Sequence, residues 1–343
     1  MKINKSELQE ALEKVKPGLA AKELIEQSTS FAFLGDRVVT YNDEISISYP
    51  VSGLKNMQGA IKAKALYEFL ARTKSDEIHV SQEENQIIIT AGQSKAGLLF
   101  EQEIHMPIEE VGEIGKWKEL PKDFLDALKL CYPCCSSDMT RPVLTCLHIN
   151  GNKVEASDSY QIIQYELKKK TPGKAFLIPA TTARELCKYD VKEIALGDGW
   201  AHFRADDGTQ FSCRTVEGAF PGVQKFLDIK EGIEFTFPEN TLDALNRAAV
   251  FTKKELEKGI PTVTVKADKG EMILSSRNEY GWFEEKLKVK GKKDKKACFT
   301  FTIGIEFLAS LFSRLKTCTI SQDRIGFGGE GWRHVIAIIE GEK

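Results

Sequence analysis

The sequence has no long uninterrupted apolar run, and this absence excludes a membrane-spanning helix. A helix that crosses a bilayer needs roughly 20 consecutive apolar residues, and no stretch of the 343-residue chain approaches that length. Residues Met1–Lys5 lead directly into a polar amphipathic segment, without the apolar stretch of a secretory signal. We therefore expect the protein to stay in the cytoplasm.

Regularly spaced cysteines and clustered histidines are also missing. The 8 cysteines are placed irregularly in a long chain, which argues against a disulfide framework and favours reduced, mostly buried thiols. The 5 histidines are scattered, and none lies in an HExxH motif or beside an obvious nucleophile. The lack of a catalytic constellation favours a binding protein over an enzyme, and we expect no cofactor and no metal.

The chain has no excess of positive charge. Its 48 Lys and Arg residues are balanced by 50 Asp and Glu residues, which gives a formal net charge of -2. A protein that holds nucleic acid through a global positive field needs clustered basic residues. Any basic surface on this protein must therefore be local.

A glycine-rich stretch near the C-terminus has the spacing of a dinucleotide-binding loop. Gly326–Gly331 fits the pattern GxGxxG, which works by placing a pyrophosphate at the N-terminus of a following helix. No helix is predicted after it, because Trp332–Ile339 alternates between apolar and polar residues as a strand does. A hairpin turn is favoured over a cofactor site.

A CxxC motif at Cys131–Cys134, next to Cys135, could in principle be a redox pair or half of a zinc site. It follows the end of a predicted helix, whereas a reactive thiolate is favoured at a helix N-terminus. No second CxxC or paired histidine supplies further ligands. Core cysteines are the favoured interpretation.

Internal repetition is the main feature of the chain. Helix-like segments around Ala11, Ala127 and Ala244 recur about every 115 residues, and the last two share the sequence Leu-Asp-Ala-Leu. Second helices with apolar residues at helical spacing recur at Leu66–Leu70, Ala183–Leu186 and Phe307–Phe312. Ser6 and Gln9 predict a capping box for the first helix.

Between these helices, residues alternate at period two, which predicts half-buried strands in each repeat. The pattern predicts an α+β fold of three tandem domains, each with two helices on antiparallel sheet. We place the domains at residues 1–115, 116–230 and 231–343, with joints at Gly112–Trp117 and Asp228–Gly232.

Positive charge is concentrated in the predicted helices. These segments together carry a net positive charge although the whole chain is acidic, which predicts a basic helical face and an acidic sheet face unless the segregation is chance. A basic face without a groove-reading motif suits contacts with the DNA backbone that ignore sequence.

Three motifs of the second repeat resemble those of the bacterial DNA polymerase III β sliding clamps. Thr140–Thr145 resembles the family's TRPVLTG, Ala156–Gln161 its ATDGHR, and Arg214–Pro221 its SRLxDGxFPDY. Their order and spacing agree with the family, and the resemblance spans all three repeats.

The resemblance implies a DNA polymerase processivity factor. Members of the family form a head-to-tail homodimer, with edge strands paired across subunits and with helices lining a hole for double-stranded DNA. This predicts self-association and sequence-independent contact with duplex DNA, together with binding of a replicative DNA polymerase and a clamp loader.

The resemblance also implies a hydrophobic pocket, between the second and third repeats, for short linear peptides of these partners. Apolar walls with a few polar atoms suit an extended peptide. For Leu144, Ile162, Phe226 and Val335, ordinary core packing is the alternative. The matching positions are Leu144, Ser157, Ser159, Tyr160, Gln161, Ile162, Pro221, Lys225, Phe226, Val335 and Ala337.

The sequence departs from the family at this pocket. Ser159, Tyr160 and Gln161 replace the Gly, His and Arg of ATDGHR, and Ala337–Gly341 replaces the C-terminal MPMRL. These changes bear on peptide specificity. They fit a divergent clamp, whether from a phage or mobile element or from a bacterial chromosome.

Basic residues of the helices and adjoining loops are the predicted DNA contacts. Lys22 and Arg141 lie in loops where the resemblance implies contact, and the others are chosen by helix location, with a merely solvated charge as the alternative. The helix-located candidates are Lys62, Lys64, Arg72, Lys74, Arg184, Lys188, Arg247, Lys253, Lys254, Arg314 and Lys316.

Two other functions compete with the sliding clamp. One is a clamp-like scaffold or decoy that binds partner peptides without encircling DNA. The other is an enzyme that uses Cys134 or Cys135.

Overall fold

Strands and short helices alternate along the whole chain. The computed structural model describes residues 1–54, 57–112, 114–229, 231–252, 260–312 and 315–340. The helices are α1 (Lys5–Val15), α2 (Ala63–Arg72), α3 (Phe124–Cys131), α4 (Ala180–Leu186), α5 (Gln224–Leu227), α6 (Thr241–Ala248) and α7 (Ile305–Phe312). The strands are β1 (Lys2–Asn4), β2 (Ser30–Leu34), β3 (Arg37–Tyr41), β4 (Ile45–Pro50), β5 (Gln58–Lys62), β6 (Glu77–Glu83), β7 (Gln86–Ala91), β8 (Ser94–Leu99), β9 (Lys118–Glu119), β10 (Cys146–Asn150), β11 (Lys153–Ser157), β12 (Gln161–Glu166), β13 (Phe176–Pro179), β14 (Val191–Leu196), β15 (Trp200–Ala205), β16 (Gln210–Arg214), β17 (Ile233–Thr236), β18 (Thr262–Asp268), β19 (Glu271–Asn278), β20 (Gly281–Lys288), β21 (Phe299–Gly304), β22 (Thr317–Ile320), β23 (Arg324–Gly329), β24 (Trp332–Ala337) and β25 (Ile339–Glu340).

Helix α1 shows how the local sequence starts an element. The side chain of Asn4 caps it, with Oδ1 accepting the backbone N–H groups of Ser6 at 2.8 Å and Glu7 at 3.3 Å. The predicted capping box of Ser6 and Gln9 is therefore wrong, because the helix begins one residue before Ser6. Its apolar residues at helical spacing, including Leu8 and Leu12, are buried.

The chain divides into two compact units. Unit 1 comprises Met1–Tyr132, Cys146–Asn152 and Lys168–Gly218, and unit 2 comprises Pro133–Thr145, Lys153–Leu167 and Ala219–Lys343. The predicted division into 1–115, 116–230 and 231–343 stays a prediction.

Unit 1 is built on antiparallel strands. One sheet has the order β1-β6-β7-β8, and a larger one has the order β5-β2-β3-β4-β16-β15-β14-β9. The pairing of β4 with β16 places Ile47 opposite Phe211, and both side chains are fully buried. Strands β10 and β13 form a further antiparallel pair. Helices α1, α2, α3 and α4 belong to this unit.

Unit 2 contains the strand series β11-β12-β24-β23-β22-β17 and the sheet β20-β19-β18-β21-β25. Both are antiparallel. Their core is rich in phenylalanine, since Phe235 packs edge-on against Phe237, and Phe237 packs edge-on against Phe312 of α7. In the described residues of the chain, no helix is long and apolar enough to cross a membrane.

The two short motifs have structural roles. Gly326 and Gly328 lie within β23, which pairs antiparallel with β24, so the predicted hairpin is confirmed. Cys131 ends α3, and Cys131 and Cys134 are both buried. The prediction of core cysteines is confirmed at these two positions, whereas Cys298 is exposed.

One histidine is fully buried in unit 1. His202 of β15 lies opposite Ser212 of β16, and the His202 Nδ1 is 2.9 Å from the Ser212 hydroxyl. Burial disfavours the charged imidazolium and lowers the pKa of His202 to about 4.

We expect His202 to make folding pH-dependent. The unfolded imidazole takes up a proton near pH 6.5 and the folded one only near 4, so protons favour the unfolded state between these values. The free energy of unfolding should fall by up to about 3 kcal/mol as the pH drops through this range. Urea unfolding of the wild type and of His202→Gln, at about pH 7 and pH 4.5, tests this. An equal loss of stability in both proteins would contradict it.

Candidate functional site

A surface cavity of about 460 Å³ lies in unit 2. Its wall comes from the turn between β11 and β12, the segment leading into α5, the strand β24 and the start of β23. The lining residues are Arg141, Leu144, Ser157, Ser159, Tyr160, Ile162, Pro221, Gly222, Val223, Phe226, Asp323, Arg324, Val335 and Ala337.

The floor of the cavity is apolar because the neighbouring strands β12 and β24 place apolar side chains on the same face of the sheet. Ile162 of β12 lies opposite Val335 of β24, and side chains opposite each other share one face of a sheet. Val223 and Leu227 from the α5 segment pack against Val335 to close the floor. Phe226 of the same segment is 41% exposed and forms a side wall.

Tyr160 is held at the rim by a tight turn. The Asp158 carboxylate accepts the backbone N–H groups of Tyr160 and Gln161, each at 2.9 Å, and Ser159 adopts the left-handed conformation at φ 83°. The Tyr160 ring stacks on Phe307 with centroids 6.2 Å apart. Burial raises the pKa of Asp158, although the hydrogen bonds that it accepts oppose this shift. The turn therefore presents one aromatic ring in a defined position.

Two arginines flank the cavity, and they differ in whether they form an ion pair. Arg324 donates two hydrogen bonds to Asp323, at 2.8 and 2.6 Å, and Arg324 lowers the pKa of Asp323. Arg324 also donates to the backbone oxygen of Phe226 at 3.1 Å. Arg141 donates to the Ser159 hydroxyl at 2.9 Å and forms no ion pair with any described residue. A carboxylate on a ligand would therefore find Arg141 better suited than Arg324.

The structure brings together all of the predicted pocket residues except Gln161 and Lys225. Gln161 is buried, and its Oε1 lies 2.9 Å from His334 Nε2 behind the floor. Lys225 is exposed, with its ammonium 4.8 Å from the centre of the Phe226 ring. The peptide-binding role of the pocket stays a prediction.

Sequence reasoning missed part of the lining. The side chain of Arg141 lines the cavity, whereas the sequence suggested only a DNA contact for it, and that contact stays a prediction. Gly222 and Val223 directly follow Pro221 and could have been included by their position. Asp323 and Arg324 gave no sequence signal, because they reach the cavity only through the pairing of β23 with β24.

Many of the predicted DNA-facing residues form ion pairs with acidic residues, which reduce their positive charge. Lys62 forms an ion pair with Glu23 at 2.5 Å, and Arg247 forms one with Glu285 at 2.7 Å. Acidic residues of the same helix pair with Arg72 and Arg184, and Lys188, two residues after α4, pairs with Glu185 of that helix.

The remaining predicted DNA contacts are exposed or lie outside the described residues. Lys22, Lys64, Lys74 and Lys316 are exposed, and among the residues that the structure covers they have no ion-pair partner. Lys253, Lys254 and Arg314 lie outside the described residues.

No protein-family model and no curated protein matches the sequence. Solved structures do match it over almost their whole length. The DNA polymerase β subunit of Streptococcus pyogenes has a TM-score of 0.84 at 19% identity, with 99% of each chain covered. The DNA polymerase sliding clamp from Bacillus subtilis has a TM-score of 0.81 at 16% identity, also with 99% of each chain covered.

A third similar structure is a sliding clamp, DNA polymerase III subunit beta, from Pseudomonas aeruginosa bound to griselimycin. Its TM-score is 0.84 at 14% identity, with 99% of each chain covered. Identities this low support the fold rather than a shared activity. The chain has the mixed α+β fold of the bacterial DNA polymerase III β sliding clamps, which confirms the resemblance carried by its motifs and the α+β class predicted from its periodicity.

Proposed function

We propose that the protein is a DNA polymerase processivity factor that encircles duplex DNA as a head-to-tail homodimer and catalyses no reaction. The observation that carries the proposal is the likeness of the fold to DNA polymerase sliding clamps over 99% of the chain. A replicative DNA polymerase and a clamp loader are the proposed partners, and the cytoplasm is the proposed location, where a bacterial replication machine meets DNA.

Two sheet edges support self-association. In the described residues, β8 of unit 1 and β20 of unit 2 each end a sheet without a further partner strand. Unpaired edge strands offer backbone N–H and C=O groups to another strand. Leu99 at the end of β8 is 64% exposed, and Trp282 in β20 is 67% exposed. Pairing β8 of one copy with β20 of the next makes a head-to-tail interface, which closes into a ring when the rotation is right.

Replacing Leu99 with Glu should break this interface. Leu99 is the last residue of β8, and a carboxylate buried there between two copies would be left unpaired, so we expect Leu99→Glu to sediment mainly as a monomer where the wild type is a dimer. Leu24→Glu is the matched control, since Leu24 is 91% exposed in unit 1 and lies in a loop. Analytical ultracentrifugation measures the mass. If Leu99→Glu stays dimeric, β8 is not the interface.

The cavity in unit 2 supports the partner-binding part of the proposal. Its floor is apolar and open, and its rim supplies the Tyr160 and Phe226 rings and the Arg141 guanidinium. Such a cavity suits an extended peptide that buries apolar side chains and adds a carboxylate near Arg141.

The Phe226 ring should contribute strongly to this binding. We expect Phe226→Ala to weaken, roughly tenfold, the binding of a fluorescent peptide from the clamp-binding segment of a bacterial replicative polymerase. Fluorescence anisotropy gives the affinity, and circular dichroism checks the fold. Leu24→Ala removes an exposed apolar side chain elsewhere and should change nothing. Unaltered affinity in Phe226→Ala would mean that the peptide binds at a different site.

A scaffold that binds partner peptides without encircling DNA is the second candidate. One observation favours it: ion pairs such as Lys62–Glu23 and Arg247–Glu285 reduce the positive charge of the predicted DNA-facing helices. Such a protein would keep the peptide affinity and lose retention on DNA.

A further inference from the structure

The strongest concentration of charge in unit 2 lies away from the helices. Lysine is the most frequent residue of the segment 286–296, which covers the end of β20 and the connection to β21. Lys266 and Lys269 lie in β18 and in the turn after it. We call the lysines of 286–296, with Lys266 and Lys269, the lysine surface. Every one of these lysines is exposed.

The strand register brings Lys266, Lys286 and Lys288 to one face of the sheet. Lys286 lies opposite Ile273 of β19, and Ile273 lies opposite Lys266 of β18. With strands about 4.8 Å apart, Lys286 and Lys266 are about 10 Å apart on the same face. The alternate residues Leu287 and Val289 are buried and anchor the end of β20 in the core.

The connection after β20 has a defined conformation. The Val289 N–H donates to the Gly270 oxygen at 3.1 Å, and the Asp294 carboxylate accepts the Thr236 N–H at 3.2 Å. A single helical turn at Asp294–Lys296 ends at the buried Ala297. The lysines of this connection are therefore held beside the turn that carries Lys269.

Acidic residues lie among the lysines of the sheet, since Glu271 is opposite Lys288, Asp268 is opposite Glu271, and Glu284 shares the face of Lys286. The connection after β20 is less balanced, with five lysines and one acidic residue, Asp294. Among the described residues, Lys290 is the lysine of this surface that forms an ion pair, with Glu239 at 3.5 Å. The Asp294 carboxylate accepts the backbone N–H of Thr236, and among the described residues it forms no ion pair with these lysines. Like charges within about 10 Å repel each other at moderate salt. A polyanion would relieve this repulsion.

We propose that the lysine surface binds the phosphodiester backbone of nucleic acid without reading its sequence. Lysine ammonium groups on flexible stems contact phosphates as point charges, and they release counterions when they do so. Trp282 lies on the same face of β20 as Lys286, because residues two and four apart share a face. Its ring is 67% exposed and gives a base a surface on which to stack.

This site adjoins β20, the strand proposed to pair with β8 of another copy. That pairing uses the backbone edge of β20, and it leaves the face that carries Trp282 and Lys286 unpaired. The site belongs to a sheet of unit 2, and it requires neither a second copy nor a partner peptide. Trp282 and Lys288 are about 20 Å apart along β20, a length that several nucleotides can follow.

The test compares two variants with equal loss of charge. One replaces Lys292, Lys293, Lys295 and Lys296 with Gln, and the control replaces Lys168, Lys169, Lys170 and Lys174, which are exposed in the connection between β12 and β13. Fluorescence anisotropy measures binding of a short labelled single strand and of a linear duplex of the same length, at about 50 to 200 mM salt. The two probes show which form of nucleic acid is bound.

We expect the first variant to bind more weakly and to lower the salt-dependence slope by about two to three on at least one probe, while the control keeps the wild-type slope. If both variants lose affinity and slope equally, binding depends on the net charge of the protein rather than on the lysine surface, and the proposal is overturned. Tighter binding of a poly-glutamate peptide than of either probe would assign the surface to acidic polypeptides and also overturn it. Retention on circular DNA is a separate readout, so failure here leaves the ring proposal untouched.

Discussion

The pairing of β12 with β24 is the contact on which the candidate site depends. It joins residues far apart in the chain, and its register places Ile162 beside Val335 and Gln161 beside Ile336. The first pair makes the apolar floor, and the second turns Gln161 inward to His334. A slip of one residue would move Gln161 to the face of the cavity and bury Ile162, since side chains alternate along a strand. The chemistry of the cavity thus follows from one register.

Much of the fold was visible in the sequence because it depends on periodicity. Segments such as Leu125–Leu128 and Leu242–Leu245 carry apolar residues at helical spacing, and the structure has helices α3 and α6 there. Alternation likewise predicted the hairpin of β23 and β24. The cap of α1 was misassigned because both Asn4 and Ser6 are good capping residues, and only backbone geometry distinguishes them.

The site was less predictable because it depends on register and on side-chain direction. The sequence motifs brought Leu144, Tyr160 and Phe226 to one cavity, but they did not show that Gln161 points away from it. The loop position of Arg141 suggested a DNA contact, and it did not show the hydrogen bond to Ser159 that holds the side chain at the rim of the cavity. Ion pairs such as Lys62–Glu23 were also invisible, since Glu23 lies far from Lys62 along the chain. Charge counted along a sequence is therefore a weak guide to charge on a surface.

Ion pairs at the helices reduce their positive charge, which fits a scaffold and fits equally well a ring that stays on DNA by topology. Strong phosphate contacts would slow movement along the duplex, whereas a closed ring needs little affinity. The most direct test is retention of the wild-type protein on nicked circular DNA, loaded with a bacterial clamp loader, before and after the circle is cut to give free ends. We expect stable retention on the circle and rapid loss once ends exist. Retention that is the same on circular and linear DNA, or absent from both, would contradict the account.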